Sequence, residues 1–282
     1  MSGHDGAPPR PAPSAPMAIH QVAAAGYATC GDAYERGRPG YPADALREVC
    51  TRLRIGPGSV LLEVGAGTGK LTRLLVHADR TVVAVEPVQA MLRHLTGAVP
   101  GALAVAGTAE AIPLRARSVD AVVVGTAFHW FDGDRALEEI RRVLRPGGGL
   151  ALLWNNPDRD HRWVARAWEI IDRHRSGTPG NRDLRWRDAF RRTSGFTALR
   201  HERFSHEDLT DLDGLRARVA SISFIAALPE GARQEVLAQV ADVASSDPIV
   251  ARRGVLVLPY RTDVYWCRAA GEEGEEADAA RR

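Results

Sequence analysis

The sequence predicts an α/β fold with a mostly parallel sheet that carries helices on both faces. Short apolar runs alternate with helix-like stretches over residues 59–154, an order typical of βαβ units. The runs at 119–125 and 150–154 are continuously apolar, as expected of parallel strands buried on both faces. A glycine-rich loop, 65–69, directly follows the first run and precedes a helix-like stretch. Loops of this kind let a ligand lie against backbone N–H groups at the mouth of a helix.

The elements are expected in a regular order along the chain. Strands are predicted at 59–64, 82–86, 103–106, 119–125 and 150–154, and helices at 71–77, 89–95 and 135–144. The alternation breaks at 156–195, which is rich in tryptophan and arginine, and again at 208–244. In the second of these segments apolar residues recur near helical spacing, and Pro229 restarts a helix. We expect the two segments to form a helical lid.

The composition is that of an ordinary globular protein with one domain and a lid. The 282 residues are 45% hydrophobic and 26% charged, and the formal net charge of +2 gives no sign of a polyanion-binding protein. Cys30, Cys50 and Cys267 lack C-x-x-C spacing, and metal-binding motifs are absent. No signal peptide or apolar run of ~18 residues is evident. We expect a soluble cytoplasmic protein without a metal and without a nucleic-acid or membrane partner; the oligomeric state stays open.

Both ends of the chain differ in composition from the middle. Residues 1–19 contain five prolines among alanine, glycine and serine, and residues 271–282 carry a cluster of glutamates with almost nothing apolar. Such segments cannot bury enough apolar surface to offset the entropy lost on ordering. We therefore expect a disordered tail at 1–19, the folded domain at 20–270 and an acidic, solvated tail at 271–282.

The spacing of the glycine loop separates two classes of nucleotide-like ligand. A dinucleotide site has glycine at the first, third and sixth positions, but the sixth position here is Lys70, and the third glycine comes one residue early, at Gly69. Glu63 stands just before the loop, and a carboxylate there suits a ligand with an ammonium group. Glu86, which closes the next apolar run, can bind two adjacent ribose hydroxyls. These features disfavour NAD and favour S-adenosylmethionine.

Five further motifs, in order along the chain, resemble those of the class I S-adenosylmethionine-dependent methyltransferases. They lie at 32–42, 107–113, 127–132, 143–150 and 258–266. The resemblance spans about residues 30–268 and is closest to the small-molecule branch that includes trans-aconitate and ubiquinone/menaquinone-pathway methyltransferases. It implies a Rossmann-like, seven-stranded and mostly parallel sheet, with an antiparallel edge pair at 199–204 and 263–268.

Candidate cofactor contacts lie just beyond the predicted strand ends, where ligands bind in open parallel sheets. They are Glu63, Gly65, Ala66, Gly67, Gly69, Glu86, Pro87, Thr108, Ala109, Glu110, Thr126 and Ala127. The family often has an acid at the position of Thr108, where a hydroxyl makes a weaker contact with adenine. Glu110 is either a second polar contact or the start of a short turn, and the latter is favoured. Close relatives usually carry glutamine in place of Thr126.

Candidate acceptor contacts follow the fourth predicted strand and the N-terminal motif. Phe128, His129 and Trp130 stand where this fold usually addresses the acceptor. The pKa of a histidine near neutral pH allows His129 to act as a general base, and the alternative is a positioning or packing role. The N-terminal motif contributes Tyr34, Arg38 and Tyr41, for which ordinary packing is an equally weighted alternative.

The arginines of 156–195 have two interpretations. They form either a binding surface for an acidic substrate or nucleic acid, or a solvated helix face. We favour the solvated face because acidic residues are interleaved with them.

The predicted function is methyl transfer from S-adenosylmethionine to a small acceptor, with oxygen the favoured atom. One alternative is a cofactor-binding cyclase or regulatory protein on the same fold. A nucleic-acid methyltransferase is less favoured, because the Asn/Asp-Pro-Pro-Tyr signature of base amino methylation is replaced by residues 126–129.

Overall fold

The computed structural model describes residues 37–175, 177–248, 250 and 255–270, so the predicted tails and Tyr34 lie outside the described residues. The strands are β1 (Val60–Val64), β2 (Thr81–Glu86), β3 (Ala102–Ala106), β4 (Val119–Gly125), β5 (Leu144–Pro157), β6 (Arg200–Thr210) and β7 (Leu256–Arg268). The helices are α1 (Ala43–Leu53), α2 (Thr72–Leu75), α3 (Gln89–Ala98), α4 (Gly133–Val143), α5 (Arg162–Asp172), α6 (Arg187–Arg192), α7 (Leu212–Ala220), α8 (Ser223–Ala226) and α9 (Glu230–Ser245). Short 3-10 turns lie at Phe128–Trp130 and Asn181–Asp183.

The strands form one seven-stranded sheet in the order β3-β2-β1-β4-β5-β7-β6. All pairs from β3 to β5 are parallel, and β7 runs antiparallel to both of its neighbours, β5 and β6. This topology confirms the predicted α/β class, with its mostly parallel sheet and antiparallel edge pair. The strand order reverses between β1 and β4, and such a reversal opens a crevice at the carboxyl ends of the strands.

The central strands are buried on both faces, which explains their continuous apolar runs. On one face of β4, Val122 and Val124 pack with Ile140 of α4. On the opposite face, Val123 packs in a second cluster that includes Val49 of α1. Helices therefore cover both sides of the sheet, as the sequence predicted.

The lid has an apolar core of its own. Val164 of α5, Leu215 of α7 and Val236 of α9 share a cluster with Leu258 at the start of β7. Helix α6 behaves differently, because the neighbouring Trp186 joins the main sheet core and its ring lies 4.6 Å from that of Trp154. The segment 156–195 is thus divided between the lid and the sheet core.

The late strands extend beyond their predicted bounds. β6 and β7 pair over eleven residues, from Arg200–Trp266 to Thr210–Leu256. β5 begins at Leu144, inside the glycine-rich turn that precedes the predicted strand. None of the helices in the described ranges is long and apolar enough to cross a membrane.

Candidate active site

The glycine loop forms one wall of a pocket at the carboxyl ends of β1 and β4. Gly65 and Ala66 donate backbone hydrogen bonds to the carbonyl of Val85, over 2.9 and 3.1 Å, which fixes the loop beside β2. The pocket is lined by Arg38, Pro39, Tyr41, Glu63, Gly65, Ala66, Gly67, Thr68, Lys70, Leu71, Gly125, Thr126, Asn155 and Arg218. The structure therefore brings the predicted loop residues together with residues of the N-terminal segment and the lid.

Glu86 holds the glycine loop as well as standing at the predicted ribose position. Its Oε2 accepts from the Gly67 amide at 2.8 Å, and its Oε1 accepts from the Val88 amide at 2.9 Å. Burial raises the pKa of this carboxyl, and the two backbone donors oppose the shift. Each carboxylate oxygen can accept more than one hydrogen bond, so contacts to hydroxyl groups remain possible.

Glu63 lies at the base of the same pocket and is only 1% exposed. Thr72 Oγ1 donates to its Oε2 over 2.6 Å. The pKa of Glu63 is raised to about 8: burial is the largest cause, the Thr72 bond opposes it, and the nearby Glu86 adds to it. The carboxyl is therefore mostly neutral at pH 7, and a cationic group bound beside it would favour the ionised form.

Gly69 packs against α3, and its predicted cofactor contact stays a prediction. Its φ of 88° lies in the left-handed region, and a Cβ built on it would come within 2.9 Å of Val99 Cγ2 and 3.2 Å of Leu95 Cγ. It faces α3 and is absent from the pocket lining. This glycine lets the loop approach the helix closely.

The predicted adenine loop is a tight turn. Thr108 and Ala111 form a β-bridge across it, and Ala109 is buried. Glu110 Oε1 accepts from the Asp132 amide at 2.9 Å, so this side chain ties the turn to the loop after β4. Glu110 thus lies in a turn, which was the favoured one of its two predicted roles. Pro87 directly follows Glu86 and is partly buried.

Thr126 has an unusual backbone conformation at the mouth of the pocket. Its φ is 54°, which is costly for a β-branched residue. The conformation is held by a 2.7 Å hydrogen bond from the Thr126 amide to the Leu153 carbonyl and by a 3.2 Å contact of Oγ1 with the Tyr41 hydroxyl. The next residue, Ala127, packs against Gly65, where a built Cβ would meet Ala127 Cβ at 2.8 Å. The left-handed residue turns the chain away from β4 and into the site.

A second pocket lies between the end of β5 and the lid. Its lining includes His129 and Trp130, the lid residues Trp168, Ile222 and Phe224, and several arginines of the 156–182 segment. It shares four lining residues with the first pocket, namely Arg38, Thr126, Asn155 and Arg218. The two pockets therefore meet at a common wall, an arrangement suited to two ligands that react with each other.

His129 is oriented by a buried tryptophan. Trp154 Nε1 donates to His129 Nδ1 over 3.2 Å. An indole N–H can only donate, so Nδ1 is the acceptor, and the neutral ring carries its proton on Nε2. In this state Nε2 can donate a hydrogen bond to an oxygen, whereas uptake of a proton at Nδ1 would break the bond to Trp154. The geometry favours the positioning role over the general base.

Of the remaining predicted acceptor residues, one lies in the sheet core and two line a pocket. Phe128 is 1% exposed, packs edge-on against Phe131 and Trp186 in the sheet core and lines neither pocket, so its acceptor contact stays a prediction without support from this packing. Its ring is apolar and points inward because the 3-10 turn places successive side chains on different sides. Tyr41 lines the first pocket only, and Arg38 lines both and donates to the lid carbonyl of Ser221 at 2.9 Å.

Among the site residues that sequence reasoning missed, three connect its segments. Asn155 lines both pockets, donates to the Gly40 carbonyl at 2.8 Å and accepts from Thr262 at 2.6 Å. Asn155 directly follows a predicted apolar strand, and this position could have indicated a site residue because ligands bind beyond the carboxyl ends of parallel strands. Lys70 donates to the carbonyl of Arg38. Arg218 donates to the Tyr260 hydroxyl at 3.0 Å, and nothing in the lid sequence distinguished it from other helical arginines.

The arginine-rich segment does not behave as one solvated face. Arg191 and Arg192 do form exposed ion pairs, with Asp188 and Asp134. Other arginines of the segment instead line the second pocket: Arg159, Arg175 and Arg182. The favoured interpretation was therefore wrong for these three residues, because alternating charges along the sequence do not show which side chains converge in space. No group of three metal-ligating side chains occurs in the ranges described.

The sheet order, the glycine loop at the end of β1 and the carboxylate at the end of β2 together define a class I methyltransferase fold. The model of the methyltransferase domain family matches residues 62–152. An uncharacterized methyltransferase of Mycobacterium tuberculosis is 40% identical over 230 residues, which cover 82% of this chain and 90% of the relative. The chain belongs to the class I S-adenosylmethionine-dependent methyltransferases.

Two further similarities concern the fold and part of the chain. A structure described as a type II methyltransferase from Anaeromyxobacter dehalogenans aligns with a TM-score of 0.62 and 24% identity, over 82% of this chain and 97% of that one. The malonyl-[acyl-carrier protein] O-methyltransferase of Methylococcus capsulatus is 46% identical over 102 residues, 34% of this chain and 37% of that protein. The first similarity shows the shared fold, and the second is limited to a segment.

Proposed function

We propose that this protein transfers a methyl group from S-adenosylmethionine to an oxygen atom of a small-molecule acceptor. The observation that carries the proposal is the common wall of the two pockets, where Thr126 and Asn155 face both. When bound, S-adenosylmethionine supplies an electrophilic methyl group on a sulfonium. An acceptor oxygen in the second pocket would lie across this wall from the first pocket, and alignment across it would supply much of the catalysis.

The residues of the first pocket, together with Glu86, which accepts a hydrogen bond from the pocket residue Gly67, fit the proposed cofactor. The loop from Gly65 to Gly67 presents backbone to the ligand, Glu86 offers carboxylate oxygens for the ribose, and Glu63 offers a buried carboxyl for the ammonium group. Burial raises the pKa of Glu63, and an ammonium group bound beside it would stabilise the carboxylate form. Thr108 and Ala109 stand at the turn proposed for adenine, beside Pro87.

His129 has a positioning role in this proposal. With Nδ1 occupied by Trp154, its Nε2–H would hold the acceptor oxygen while the new carbon–oxygen bond forms. The electron pair of the broken carbon–sulfur bond stays on sulfur, and a carboxylate oxygen needs no base because it is already ionised at neutral pH. The partial relative named as a malonyl-[acyl-carrier protein] O-methyltransferase supports oxygen as the methylated atom.

Two alternative functions predict different results. A cyclase or regulatory protein would bind the cofactor without transferring the methyl group. A nucleic-acid enzyme would bind RNA or DNA with an affinity that falls steeply as salt rises. The exposed ion pairs of Arg191 and Arg192 reduce the charge available on that outer surface.

The deciding experiment is mass spectrometry of a metabolite extract incubated with the enzyme and methyl-labelled S-adenosylmethionine. We expect one labelled small molecule, and its fragmentation identifies the methylated atom. A product with a changed skeleton and no label would indicate a cyclase. Absence of cofactor binding in calorimetry, or a salt-sensitive complex with RNA, would contradict the proposal.

A further inference from the structure

Five arginines and one aspartate are the charged side chains that line the second pocket within the described ranges: Arg38, Arg159, Arg175, Arg182, Arg218 and Asp172. Guanidinium groups stay protonated in proteins, so this lining carries a large positive excess. Its apolar part comes mainly from lid residues, including Phe224. A concave pocket with both properties suits a small acid that has a carbon skeleton.

The arginines differ in how far protein groups already satisfy them. Arg38 and Arg218 tie the site together, through the Ser221 carbonyl and the Tyr260 hydroxyl. At the other end of the pocket, Arg159 and Arg175 converge on a single carboxylate, that of Asp172. This second group is the focus of the inference, and we name it the arginine pair.

The arginine pair contains buried polar atoms that the described protein groups leave without a hydrogen-bond partner. Arg159 Nη1 lies 2.7 Å from Asp172 Oδ2, but its Nε has no such partner. Arg175 Nη2 lies 3.5 Å from Asp172 Oδ1, and neither Arg175 Nε nor that oxygen has one. These atoms show that Asp172 alone does not satisfy the hydrogen-bonding capacity of the two guanidinium groups, so the pair keeps capacity for a second anion.

The electrostatics of the neighbouring Arg182 agree with this geometry. Burial lowers the pKa of Arg182, and Arg159 and Arg175 lower it further, although Asp172 and Asp263 act in the opposite direction. Arg159 and Arg175 thus repel a third guanidinium group that lines the same pocket. A second anion would relieve that repulsion.

We propose that the arginine pair binds an anionic group of the acceptor, so that the substrate is a small acid with at least two acidic groups. One group binds Arg159 and Arg175, and a carboxylate oxygen elsewhere on the molecule reaches Thr126 and His129 and accepts the methyl group. The inference rests on the proposed function, which it deepens by naming the substrate class. The carboxylate that accepts the methyl group needs no base, which agrees with the occupied Nδ1 of His129.

The test uses the full chain saturated with S-adenosylhomocysteine and measures probe binding by calorimetry. The probes are succinate, citrate, inorganic phosphate and the monoamide succinamate. We expect succinate or citrate to bind at millimolar concentration or better and succinamate to bind roughly tenfold more weakly, since hydrogen bonds to charged groups contribute this much. Tighter binding of phosphate than of both polycarboxylates would assign the anionic group as phosphate rather than carboxylate.

Matched variants distinguish binding at the arginine pair from a non-specific effect of the protein's positive charge. Arg159→Gln and Arg175→Gln should each weaken binding of the best probe by roughly tenfold or more, and Arg175→Lys should restore part of the loss. Arg173→Gln, an exposed change two residues away, should have no effect. Asp172→Asn should strengthen binding, because it removes the competing carboxylate. This opposite sign is not expected of a merely structural network.

The possible failures are distinguishable. If S-adenosylhomocysteine does not bind, the proposed function fails before any probe is added. If it binds and no probe binds, or if the arginine variants and Arg173→Gln behave alike, the inference alone is overturned. A labelled product with fewer than two acidic groups in its unmethylated form would also overturn it.

Discussion

Cofactor binding should release a proton from Glu63. The carboxyl is buried at the base of the first pocket, and its pKa is raised to about 8 in the empty site. At pH 7 a group with that pKa is roughly nine-tenths protonated. An ammonium group bound beside it favours the carboxylate, so binding at pH 7 should release close to one proton per cofactor.

The magnitude of the effect follows from the same pKa. Between about pH 6 and pH 7.5 the α-amino group of the cofactor keeps most of its proton, while the ionised fraction of Glu63 rises roughly twentyfold. The association constant for S-adenosylmethionine should rise by about that factor over the same range. Calorimetry in buffers of different ionisation enthalpy measures both the affinity and the released proton.

Two controls isolate the interaction. Glu63→Gln keeps a side chain that can accept from Thr72 Oγ1 but cannot ionise, so its affinity should be lower and nearly independent of pH over this range. The ligand 5′-methylthioadenosine lacks the ammonium group and should bind the wild type without the pH-dependent gain. The reasoning is refuted if the wild type releases no proton at pH 7 and binds the cofactor as Glu63→Gln does.

The same shift changes the stability of the empty protein. Because the pKa of Glu63 is raised in the folded state, its contribution to the free energy of unfolding is fully present below about pH 4.5. That contribution is lost as the pH rises through about 8. The upper bound is on the order of 5 kcal/mol, at about 1.4 kcal/mol per pKa unit. Urea unfolding of the cofactor-free protein should show wild-type stability falling relative to Glu63→Gln as the pH rises from 5 to about 8.

Four other substitutions test separate parts of the site. Glu86→Ala should weaken cofactor binding by about 1–3 kcal/mol in calorimetry, because the ribose hydroxyls and the Gly67 amide both lose their acceptor, and unchanged affinity would contradict this role. His129→Ala should reduce methyl transfer roughly 10- to 100-fold with little change in cofactor affinity, and Trp154→Phe should give a smaller loss. If His129 were a general base, His129→Ala would instead give a larger loss and would remove an ionisation from the pH–rate profile. Gly69→Ala should lower the free energy of unfolding by about 1–3 kcal/mol through overpacking against α3, while a loss confined to cofactor affinity would return Gly69 to the binding surface.

The sheet and the cofactor side of the site could be predicted because their signals are local. The bounds of β4 match the predicted 119–125, since a strand buried on both faces must be apolar throughout. Glu63, the glycine loop and Glu86 lie within one βαβ unit, so their spacing along the chain determines their spacing in the fold. The full length of β6 had no such signal. Most of its side chains are exposed, and the strand is held by backbone hydrogen bonds to β7.

The second pocket was predicted only in part, through Arg38, His129 and Trp130, because the rest of its lining comes from distant segments. Thr126 and Arg218 line the same wall, yet 92 residues separate them in the sequence, and only the packing of the lid brings them together. The left-handed conformation of Thr126 is likewise imposed by its neighbours, since a threonine has no intrinsic preference for it. Residue type and periodicity therefore indicate that a lid exists, but not which of its side chains enter the site.

Charge balance along a segment is a poor guide to charge balance in a pocket. Acids and arginines alternate through 156–195, which made a solvated face the simplest expectation. In the fold, Arg191 and Arg192 find acidic partners at the surface, whereas Arg159 and Arg175 share Asp172 inside a concave site. The excess positive charge is thus concentrated where water is partly excluded and Coulomb interactions are stronger. A segment in which acids are interleaved with arginines can in this way present a strongly cationic surface to its ligand.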